Sequence, residues 1–423
     1  MLKLLVIADD LTGALDAAAP LIHCGVEVCT TPLSILSLEC LDEQVQVLSV
    51  NAATRHLPAE EARKRIAQLV GEAVQAGVPL IVKKTDSILR GNIGAELEGA
   101  LMAHSATTLH FMPSLPAMNR VTCGGVHYIT DIPVAETALG SDPFEPVTTS
   151  RVADIIAQQS MQAVSEVAIS KALSHSPGIA VYDAITNEEL DRRVAELKNT
   201  RPLLLAGCMG LVSALARVFF AAKPEQALPE HGSALPQHMD MSGSIVAFCG
   251  SVNAVSVKQC AVAHAAGAPL HSLTAAQILQ SSWHHTSELT QLAQHVSQEL
   301  STNALVVIDA STRVNQDDVE QAGLVGISDL RDYTAANLGA IAGELLRQGS
   351  IENILVMGGD VLLALLEYLH ISRLRMLFEF APGVVVSELE LEGRTVRIVS
   401  KSGGFGEPDL FFRISQQLYT SAA

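Results

Sequence analysis

Short apolar runs of strand length alternate along this chain with longer segments whose apolar residues recur every three or four positions. The short runs predict buried strands, and the longer segments predict amphipathic helices. Alternation of this kind is typical of α/β domains with mostly parallel sheets. The strands are predicted at Leu2–Ala8, Gln44–Val50, Pro79–Val82, Thr108–Met112, Ile179–Asp183, Pro202–Ala206, Ser244–Phe248, Leu270–Leu273, Ala304–Asp309, Ile354–Met357 and Leu391–Val399. The helices are predicted at Ala14–Ile22, Pro58–Ala76, Ile93–His104, Val152–Gln159, Asn187–Lys198, Leu211–Phe220, Ala254–Ala266, Ser287–Leu300, Thr334–Gln348 and Val361–Leu366.

The alternation is interrupted between Lys223 and Gly243, a segment that contains several prolines and has no apolar period. Such a composition is typical of a linker. We therefore predict an N-terminal domain at residues 1–222, a linker at 223–243 and a C-terminal domain at 244–423. The length of 423 residues fits two domains. Each is expected to be a three-layer α/β domain with a mostly parallel sheet, and the active-site cleft is expected between them.

Polar residues follow three of the predicted strands in the first half of the chain. Asp9 and Asp10 follow the first strand, Arg55 follows the second, and the polar segment 83–92 follows the third. The carboxyl ends of the strands form the ligand crevice of an open α/β sheet, so these residues are predicted to surround a ligand. The candidates for substrate binding are Asp9, Asp10, Arg55, Lys84, Thr85, Asp86, Ser87 and Arg90.

These residue types suit a small anionic ligand that carries several hydroxyl groups. Lysine and arginine bind the anion, while aspartate and serine form hydrogen bonds with hydroxyl groups. An aspartate can also bind a metal or act as a general base. Simpler interpretations stay open for single residues: one of Asp9 and Asp10 could only cap the helix that follows, and Arg55 could face solvent.

Two glycine turns in the second half of the chain are candidates for phosphate binding. Gly358-Gly359-Asp360 separates an apolar strand from a helical segment, and Lys401-Ser402-Gly403-Gly404-Phe405-Gly406 follows a later strand. A glycine turn at a helix N-terminus lets a phosphate group reach bare backbone N–H groups. Together the turns predict a nucleotide phosphate site. Neither matches the P-loop or the G-x-G-x-x-G motif, and each could be an ordinary loop.

Composition and charge narrow the choice of partner and compartment. The net charge of −18 argues against nucleic acid or an anionic membrane as a partner, because both require clustered Lys and Arg. No signal peptide is recognised, and no apolar run reaches the length of a transmembrane helix. Seven cysteines without a C-x-x-C pair favour reduced thiols in a cytoplasmic protein. The histidines lack zinc-motif spacing, and no G-x-S-x-G elbow occurs.

The residues alone indicate phosphoryl transfer to a small acid, and several segments also resemble a known family. That family is the four-carbon acid sugar kinases, long catalogued as a domain of unknown function. The matching segments occur in the family's order and span nearly the whole chain. They are Ala8-Asp9-Asp10-Leu11-Thr12-Gly13-Ala14, Lys84-Thr85-Asp86-Ser87-Ile88-Leu89-Arg90-Gly91, Asp142-Pro143, Gly250-Ser251, Gly358-Gly359-Asp360, Pro382-Gly383 and Lys401-Ser402-Gly403-Gly404-Phe405-Gly406.

The resemblance implies an N-terminal domain that binds a sugar acid and a C-terminal domain that binds ATP. It implies an ATP-dependent 4-kinase of D-threonate, D-erythronate or 3-oxo-tetronate, with D-threonate as the first expectation and Mg²⁺ accompanying ATP. The proton acceptor would be Asp10 or Asp86, and the metal ligands stay open. The residues expected to hold ATP are Ser251, Gly358, Gly359, Asp360, Lys401, Gly403, Gly404, Phe405 and Gly406.

Two departures from the family pattern keep alternatives open. The family usually has threonine where this chain has Val361, and Gly-Arg-Thr where this chain has Asn119-Arg120-Val121. The first departure removes a hydroxyl that could contact phosphate or metal, so a non-catalytic sugar-acid sensor is one alternative. An NAD-dependent dehydrogenase is another, although its G-x-G-x-x-G fingerprint is absent. A homodimer is the common state for cytosolic enzymes of this size, but the sequence leaves the oligomeric state open.

Overall fold

Two compact units, Met1–Pro229 and Glu230–Ala423, make up the computed structural model. It describes residues 2–32, 36, 38, 41–141, 146–200, 203–221, 243–251, 253–280, 283–311, 327–349, 351–401 and 404–420. The linker predicted at 223–243 lies outside these ranges except for Gly243, as do Asp142, Pro143, Ser402 and Gly403. Within these ranges, every helix is too short or too polar to cross a membrane.

The N-terminal unit is built on a parallel sheet. The strands of the whole unit are β1 (Leu4–Ala8), β2 (Val28–Thr31), β3 (Val47–Asn51), β4 (Leu80–Lys84), β5 (Thr108–Met112), β6 (Arg120–Cys123), β7 (Val126–Ile129), β8 (Ile132–Pro133), β9 (Val164–Val167), β10 (Gly178–Tyr182) and β11 (Leu203–Gly207), of which β6, β7 and β8 form a separate sheet. The parallel sheet has the order β2-β3-β1-β4-β11-β5-β10-β9. All residues of its central strands are buried. Because successive side chains point to opposite faces, both faces of this sheet are covered.

The helices of this unit are α1 (Leu11–Asp16), α2 (Ala19–His23), α3 (Ala59–Gln75), α4 (Ile93–Ala103), α5 (Val152–Ala157), α6 (Asn187–Glu196) and α7 (Met209–Leu215). The single helix predicted at Ala14–Ile22 is wrong. Pro20 lies in the first turn of α2, where its missing N–H is tolerated, and it could not have continued α1. Strands β6 and β7 form a hairpin that turns at Gly124-Gly125.

The C-terminal unit has a mixed sheet. Its strands are β12 (Ile245–Cys249), β13 (Leu270–Ser272), β14 (Leu305–Asp309), β15 (Asn353–Met357), β16 (Leu374–Ala381), β17 (Val384–Leu391) and β18 (Arg394–Lys401). The order is β13-β14-β12-β15-β18-β17-β16, parallel from β13 to β18 and antiparallel beyond. The prediction of mostly parallel sheets in two α/β domains is therefore confirmed.

The strand predicted at Leu391–Val399 corresponds to β18, but β18 begins later, at Arg394, and Leu391 is the last residue of β17. Glu392 and Gly393, with φ of 51° and 78°, form the turn between β17 and β18. Two successive left-handed residues match the twist of a tight hairpin. The helices of this unit are α8 (Ala254–Ala265), α9 (Ala275–Leu279), α10 (Ser287–Leu300), α11 (Ile327–Arg347), α12 (Gly359–Tyr368) and α13 (Leu410–Thr420).

Candidate functional site

The ends of three adjacent strands bring the predicted substrate residues of the N-terminal unit together. Ala8 of β1 is aligned with Asn51 of β3 on one side and with Lys84 of β4 on the other. Each strand therefore delivers the residues that follow it to the same edge of the sheet. The chain runs from β1 to β3 on one side and then to β4 on the other, and such a switch point forms the ligand crevice of open α/β sheets.

Arg55 lies at the centre of this edge and contacts three carboxylates. Its Nε is 2.7 Å from Asp9 Oδ2, and its Nη1 is 2.6 Å from Asp10 Oδ2. Its Nη2 is 3.8 Å from Asp86 Oδ1, and the side chain is only 11% exposed. Arg55 therefore does not face solvent. Its guanidinium group is already occupied by protein carboxylates, so it organises the acidic side chains.

Asp9 and Asp10 differ in exposure and in proton affinity. Asp9 is 2% exposed; burial works to raise its pKa, but Arg55 and two lysines bring it below the ordinary value. Asp10 is 27% exposed, and burial together with the adjacent Asp9 raises its pKa despite Arg55. Asp10 also caps α1, because its Oδ1 accepts a 2.7 Å hydrogen bond from the backbone N–H of Gly13. Of the two, Asp10 is better suited to accept a proton.

Asp86 is held by Arg90 within a tight loop. Arg90 donates from Nε to Asp86 Oδ2 and from Nη2 to Asp86 Oδ1, both at 3.0 Å. The backbone N–H groups of Ile88 and Arg90 also donate to Oδ2. Burial works to raise the pKa of Asp86, but Arg90 and Arg55 hold it well below its ordinary value. Asp86 is therefore a fixed anion and a weak proton acceptor.

Lys84 lies against the first turn of α1. A Cβ atom on Gly13 would come within 2.6 Å of Asp10 Oδ1 and 2.8 Å of Lys84 Nζ, so only glycine allows this approach. Two buried oxygens nearby, Thr85 Oγ1 and Asp9 Oδ1, have no hydrogen-bond partner among the described residues. Buried polar atoms are rarely left unpaired, so both are suited to bind the hydroxyl groups of a ligand.

Arg120 belongs to this cluster, although sequence reasoning did not place it in the site. It is the first residue of β6, and its Nη1 donates a hydrogen bond to Ser87 Oγ. In the described part of the chain it forms no ion pair with a carboxylate, whereas Arg55 and Arg90 both do. Burial lowers the pKa of Arg120. The available signal was the departure from the family pattern at Asn119-Arg120-Val121.

His127 supports the loop that receives Arg120. Its Nε2 is 3.0 Å from the carbonyl oxygen of Ser87, and its Nδ1 is 3.0 Å from Thr122 Oγ1. Burial lowers the pKa of His127 to about 4, so the ring is neutral near pH 7. A neutral ring that donates from Nε2 and accepts at Nδ1 satisfies both contacts. His127 thereby fixes the backbone of Ser87.

The cluster carries one more positive than negative charge. The cationic side chains are Arg55, Lys84, Arg90 and Arg120, and the carboxylates are Asp9, Asp10 and Asp86. Among the described residues, Arg120 and Lys84 form no ion pair with a carboxylate, so the surplus charge is shared by these two side chains. A single anionic group of a ligand would balance it.

The ends of β12, β15 and β18 bring together the predicted nucleotide residues of the C-terminal unit. Cys249 is aligned with Met357, which is aligned with Lys401. The backbone N–H of Gly250 donates to the carbonyl of Met357, and that of Gly358 donates to the carbonyl of Lys401, both at 3.3 Å. Both glycines therefore lie at the carboxyl edge of the sheet.

Gly358 is the N-cap of α12, which begins at Gly359. Its φ of 111° is a conformation that residues with side chains rarely adopt, so glycine is needed here. The first turn of a helix offers N–H groups without intrahelical partners and carries a partial positive charge. Asp360 in that turn is 54% exposed. The predicted strand–glycine–helix geometry is confirmed, and it is suited to bind phosphate.

Lys401 is the last residue of β18 and not part of the glycine turn in which the sequence placed it. It is 2% exposed, and its Nζ donates to Ser256 Oγ at 3.1 Å. Burial lowers the pKa of Lys401 to about 8, although the thiols of Cys249 and Cys260 act in the other direction. Ser251 lies in the turn before α8, and its Oγ accepts a hydrogen bond from the backbone of residue 253.

The second glycine turn is held by Gln259 of α8. Gln259 Nε2 donates to the carbonyls of residues 405, 406 and 407 at 2.9–3.2 Å. The ring of Phe405 packs on Gly383, where a Cβ atom would come within 2.6 Å of the ring. Gly404 is exposed, and Gly403 lies outside the described residues. Phe405 therefore shapes the turn by packing.

Val361, the departure in the first turn of α12, is a packing residue here. It is 3% exposed, and a Cβ atom on Gly250 would come within 2.4 Å of its Cγ2. The side chain of Val361 thus lies against the backbone of the turn that follows β12. A threonine at this position would have nearly the same shape, so the valine keeps the packing and changes only the hydroxyl.

Comparisons with known proteins agree with the two units. Residues 4–215 match the family model of a sugar-binding N-terminal domain, and residues 246–411 match that of a nucleotide-binding C-terminal domain. The D-threonate kinases of Bordetella bronchiseptica and Salmonella typhimurium are 28% and 26% identical to this chain, and each alignment covers at least 96% of both proteins. A D-erythronate kinase of Heliobacterium modesticaldum is 24% identical over 99% of both chains. A 3-oxo-tetronate kinase of Salmonella typhimurium is 26% identical over 99% of both chains.

A solved structure from Salmonella typhimurium LT2, provisionally described as a tRNA synthase, is similar to this chain. The TM-score is 0.80 with 23% identity, over 99% of this chain and 100% of the other. A Haemophilus influenzae protein from a domain family of unknown function gives a TM-score of 0.72 with 21% identity, over 98% and 100%. At these identities the likeness shows the fold alone.

Proposed function

The chain belongs to the kinase family that joins a sugar-binding N-terminal domain to a nucleotide-binding C-terminal domain, and we propose that it phosphorylates the 4-hydroxyl of D-threonate with ATP. The observation that carries this proposal is the N-terminal cluster, with its surplus positive charge at Arg120 and Lys84 and two buried oxygens that have no hydrogen-bond partner among the described residues. A four-carbon sugar acid offers one carboxylate and several hydroxyl groups, which match both features. The 28% identity to a D-threonate kinase supports D-threonate as the first choice among the four-carbon acids.

In this proposal, the substrate carboxylate binds to Arg120 with help from Lys84. The guanidinium fork of arginine matches a carboxylate. Arg55 and Arg90 are less available, because Asp9, Asp10 and Asp86 already occupy them. The substrate hydroxyl groups then pair with the unpaired oxygens of Thr85 and Asp9.

Asp10 is the proposed acceptor of the proton from the 4-hydroxyl. Its pKa is raised by burial, which makes it a stronger base than an ordinary carboxylate, and it is more exposed than Asp9 or Asp86. Asp86 takes a positioning role by holding Arg90 and contacting Arg55. The proton moves to Asp10 Oδ2 as the oxygen attacks the γ-phosphorus, and ADP leaves with the electrons of the broken P–O bond.

The phosphates of ATP are proposed to bind at the N-terminus of α12, where Gly358 allows close approach to the backbone. Ser251 and Lys401 lie at the same sheet edge and add a hydroxyl and a cationic side chain. Mg²⁺ bound to the phosphates would neutralise part of their charge. The residues of this chain contribute position and electrostatic stabilisation, which supply most of the catalysis in such transfers.

Replacing Arg120 with alanine is expected to raise the KM for the sugar acid and to lower kcat/KM by about 10- to 100-fold. The reason is that the substrate carboxylate loses a charged hydrogen-bonding partner. Steady-state kinetics with varied sugar acid measures this, and the KM for ATP should stay unchanged. Arg120→Lys should recover only part of the loss, because lysine keeps the charge without the fork.

The matched control for this variant is Arg151→Ala. Arg151 is 49% exposed and pairs with Glu166 at the surface, so its loss should leave the kinetics unchanged. An Arg120→Ala enzyme with the wild-type KM for every four-carbon acid would remove Arg120 from substrate binding. The carboxylate would then have to be assigned to Arg55 or Arg90.

The KM for ATP is expected to rise about tenfold between pH 7 and pH 9, because Lys401 loses its proton with a pKa of about 8. Lys401 is protonated below that value and neutral above it, so its attraction for phosphate is lost as the pH rises. The thiols of Cys249 and Cys260 lie close enough to Lys401 to favour its protonated form. Lys401→Met should have a raised KM at pH 7 and a weaker pH dependence.

The exposed Lys258 of α8 provides the control for Lys401, and Lys258→Met should behave like the wild-type enzyme. Measuring both variants alongside the wild-type enzyme also separates the titration of Lys401 from that of ATP itself. An unchanged pH dependence in Lys401→Met would contradict the phosphate-binding role of Lys401.

The proposed function as a whole is tested by ATP consumption with Mg²⁺ over D-threonate, L-threonate, D-erythronate, 3-oxo-tetronate and D-glycerate. Turnover with D-threonate above the other acids is the expected result. Preference for another four-carbon acid would correct the substrate and keep the reaction. Thermal stabilisation by an acid without any turnover would favour the sensor, and Val361→Thr would then be the first variant to examine for restored activity.

A further inference from the structure

A cluster outside both predicted ligand sites joins His271 of β13 to His295 and Glu299 of α10. His271 Nε2 is 2.6 Å from Glu299 Oε2, and His295 Nε2 is 3.4 Å from Glu299 Oε1. One donor atom from each side chain lies within 4.8 Å of the other two. Both imidazoles therefore direct the same ring nitrogen, Nε2, toward one carboxylate.

Secondary structure fixes the three side chains in this arrangement. His295 and Glu299 are four residues apart on α10, so they share one face of that helix. His271 is held in β13, where it is aligned with Ile308 of β14. The two rings meet edge to face, with centroids 5.4 Å apart. Two elements of regular structure thus deliver the donors, and a ligand would not have to order a loop.

The simplest interpretation of the cluster is a hydrogen bond between His271 and Glu299, with His295 in contact with the same carboxylate. Three observations go further than that interpretation. Two imidazoles and one carboxylate are a donor set used by zinc sites that keep an open coordination position. The side chains are 21%, 59% and 23% exposed for His271, His295 and Glu299, so an ion and its water ligands can enter. Among the described residues, Glu299 forms ion pairs with these histidines and with no lysine or arginine.

We propose that His271, His295 and Glu299 bind a divalent transition-metal ion, with Zn²⁺ as the first candidate and water completing its coordination. Each histidine binds through Nε2 and moves its remaining proton to Nδ1, while Glu299 exchanges its hydrogen bond with His271 and its contact with His295 for one metal bond. The separations between donor atoms need only small side-chain rotations to match a tetrahedral ion, because Zn–N and Zn–O bonds are about 2.0–2.2 Å long.

A second cluster, Cys249, Cys260 and Asp309, is less suited to a metal. Both thiols are buried in the apolar core of the C-terminal unit, and the hydrogen bond with Cys249, together with burial, raises the pKa of Cys260. A metal needs the thiolate forms, and the neighbouring Lys401 would repel a cation. Asp309 is also engaged, since its two oxygens accept hydrogen bonds from the backbone and side chain of Ser311.

The test is a titration of the untagged, full-length protein with Zn²⁺ by isothermal calorimetry after treatment with a chelator. One ion per chain should bind, and His271→Ala, His295→Ala and Glu299→Gln should each weaken the affinity by at least about tenfold. His264→Ala removes an exposed histidine of α8 and serves as the matched control, with unchanged affinity. Co²⁺ bound at this site should give visible absorption bands but no thiolate charge-transfer band. Added Zn²⁺ should displace the Co²⁺ and abolish the visible bands.

Some outcomes would overturn the proposal. Absence of saturable binding would leave the cluster as hydrogen-bonded histidines only. A thiolate charge-transfer band with Co²⁺, lost in Cys260→Ser, would assign the metal to the cysteine cluster instead. His295 is not one of the residues proposed to bind the sugar acid or ATP, so the His295→Ala variant should retain kinase turnover. Loss of Zn²⁺ binding with full turnover therefore tests the metal site separately from the proposed reaction.

Discussion

Replacing Asp10 with asparagine is expected to lower kcat by about 10²- to 10⁴-fold, the usual contribution of a general base. The amide cannot take the proton of the attacking hydroxyl. Asparagine is also a good N-cap, so the hydrogen bond from Gly13 to residue 10 can be kept and α1 should stay formed. Stabilisation of the protein by the sugar acid, measured by thermal shift, should therefore survive while turnover is lost.

The pH profile provides a second readout for Asp10. The base must be ionised, so the rate should fall as the pH drops through its pKa. Because burial raises the pKa of Asp10, this fall should occur at a higher pH than for an ordinary carboxylate. Asp10→Asn should lose this acidic limb along with most of its activity.

Two further variants separate the roles of the carboxylates. Asp86→Asn releases Arg90, so the KM for the sugar acid should rise more than kcat falls. Asp131→Asn changes an exposed aspartate of the β7–β8 turn and should have no effect. If Asp10→Asn kept the wild-type kcat while Asp86→Asn lost it, the proton acceptor would be Asp86 and the assignment made from pKa would be wrong.

The meeting of Asp9, Arg55 and Lys84 could be predicted from the sequence, because a parallel sheet places the carboxyl ends of its strands at one edge. That argument requires only the order of apolar runs and the residues that follow them. The same argument predicted that Gly358 lies at the start of a helix. The same reasoning found two α/β domains with mostly parallel sheets, which the structure confirms.

The partners within the site could not be predicted in the same way. Asp10 and Asp86 each follow a predicted strand, so the sequence does not separate their roles. The structure does: Arg90 donates hydrogen bonds to Asp86, whereas Asp10 is more exposed. Arg120 was missed because its contact with Ser87 spans 33 positions and depends on how the β6–β7 hairpin folds back. Side-chain pairing of this kind has no periodic signal in the sequence.

Two features of the strands in the C-terminal unit were missed for a related reason. The strand β16 was not predicted, because charged residues alternate with apolar ones where only one face is buried. Lys401 was assigned to a loop, although it ends β18 and is buried. A lysine at the end of an apolar run resembles a solvent-facing residue until the neighbouring helix α8 is found to cover it.

Breaking the ion pair between Lys83 and Glu96 has the second large expected effect, on stability. Lys83 Nζ is 2.9 Å from Glu96 Oε2, and the two side chains are 0% and 1% exposed. Thr54 donates a hydrogen bond to the other carboxylate oxygen. Removal of one partner leaves a buried charge without its counter-ion, so Glu96→Gln and Lys83→Met should each cost about 3–5 kcal/mol of unfolding free energy.

The stability of the Lys83→Met variant is expected to depend on pH. Burial raises the pKa of Glu96 even beside Lys83, so in Lys83→Met the carboxyl group should take up a proton. When the pKa of a group is higher in the folded state than in the unfolded state, its contribution to stability is complete below the unfolded-state pKa and is lost as the pH rises. The free energy of unfolding of Lys83→Met should therefore be lower at pH 8 than at pH 5.5.

Scanning calorimetry of the full chain measures both effects, with the N-terminal transition identified by its shift with the sugar acid. The double variant Lys83→Met/Glu96→Gln should cost less than the sum of the single changes, because neither charge is then left without its partner. The opposite outcome is that the single variants lose the same free energy of unfolding at every pH and that the losses add in the double variant. Packing, and not charge, would then make this pair important.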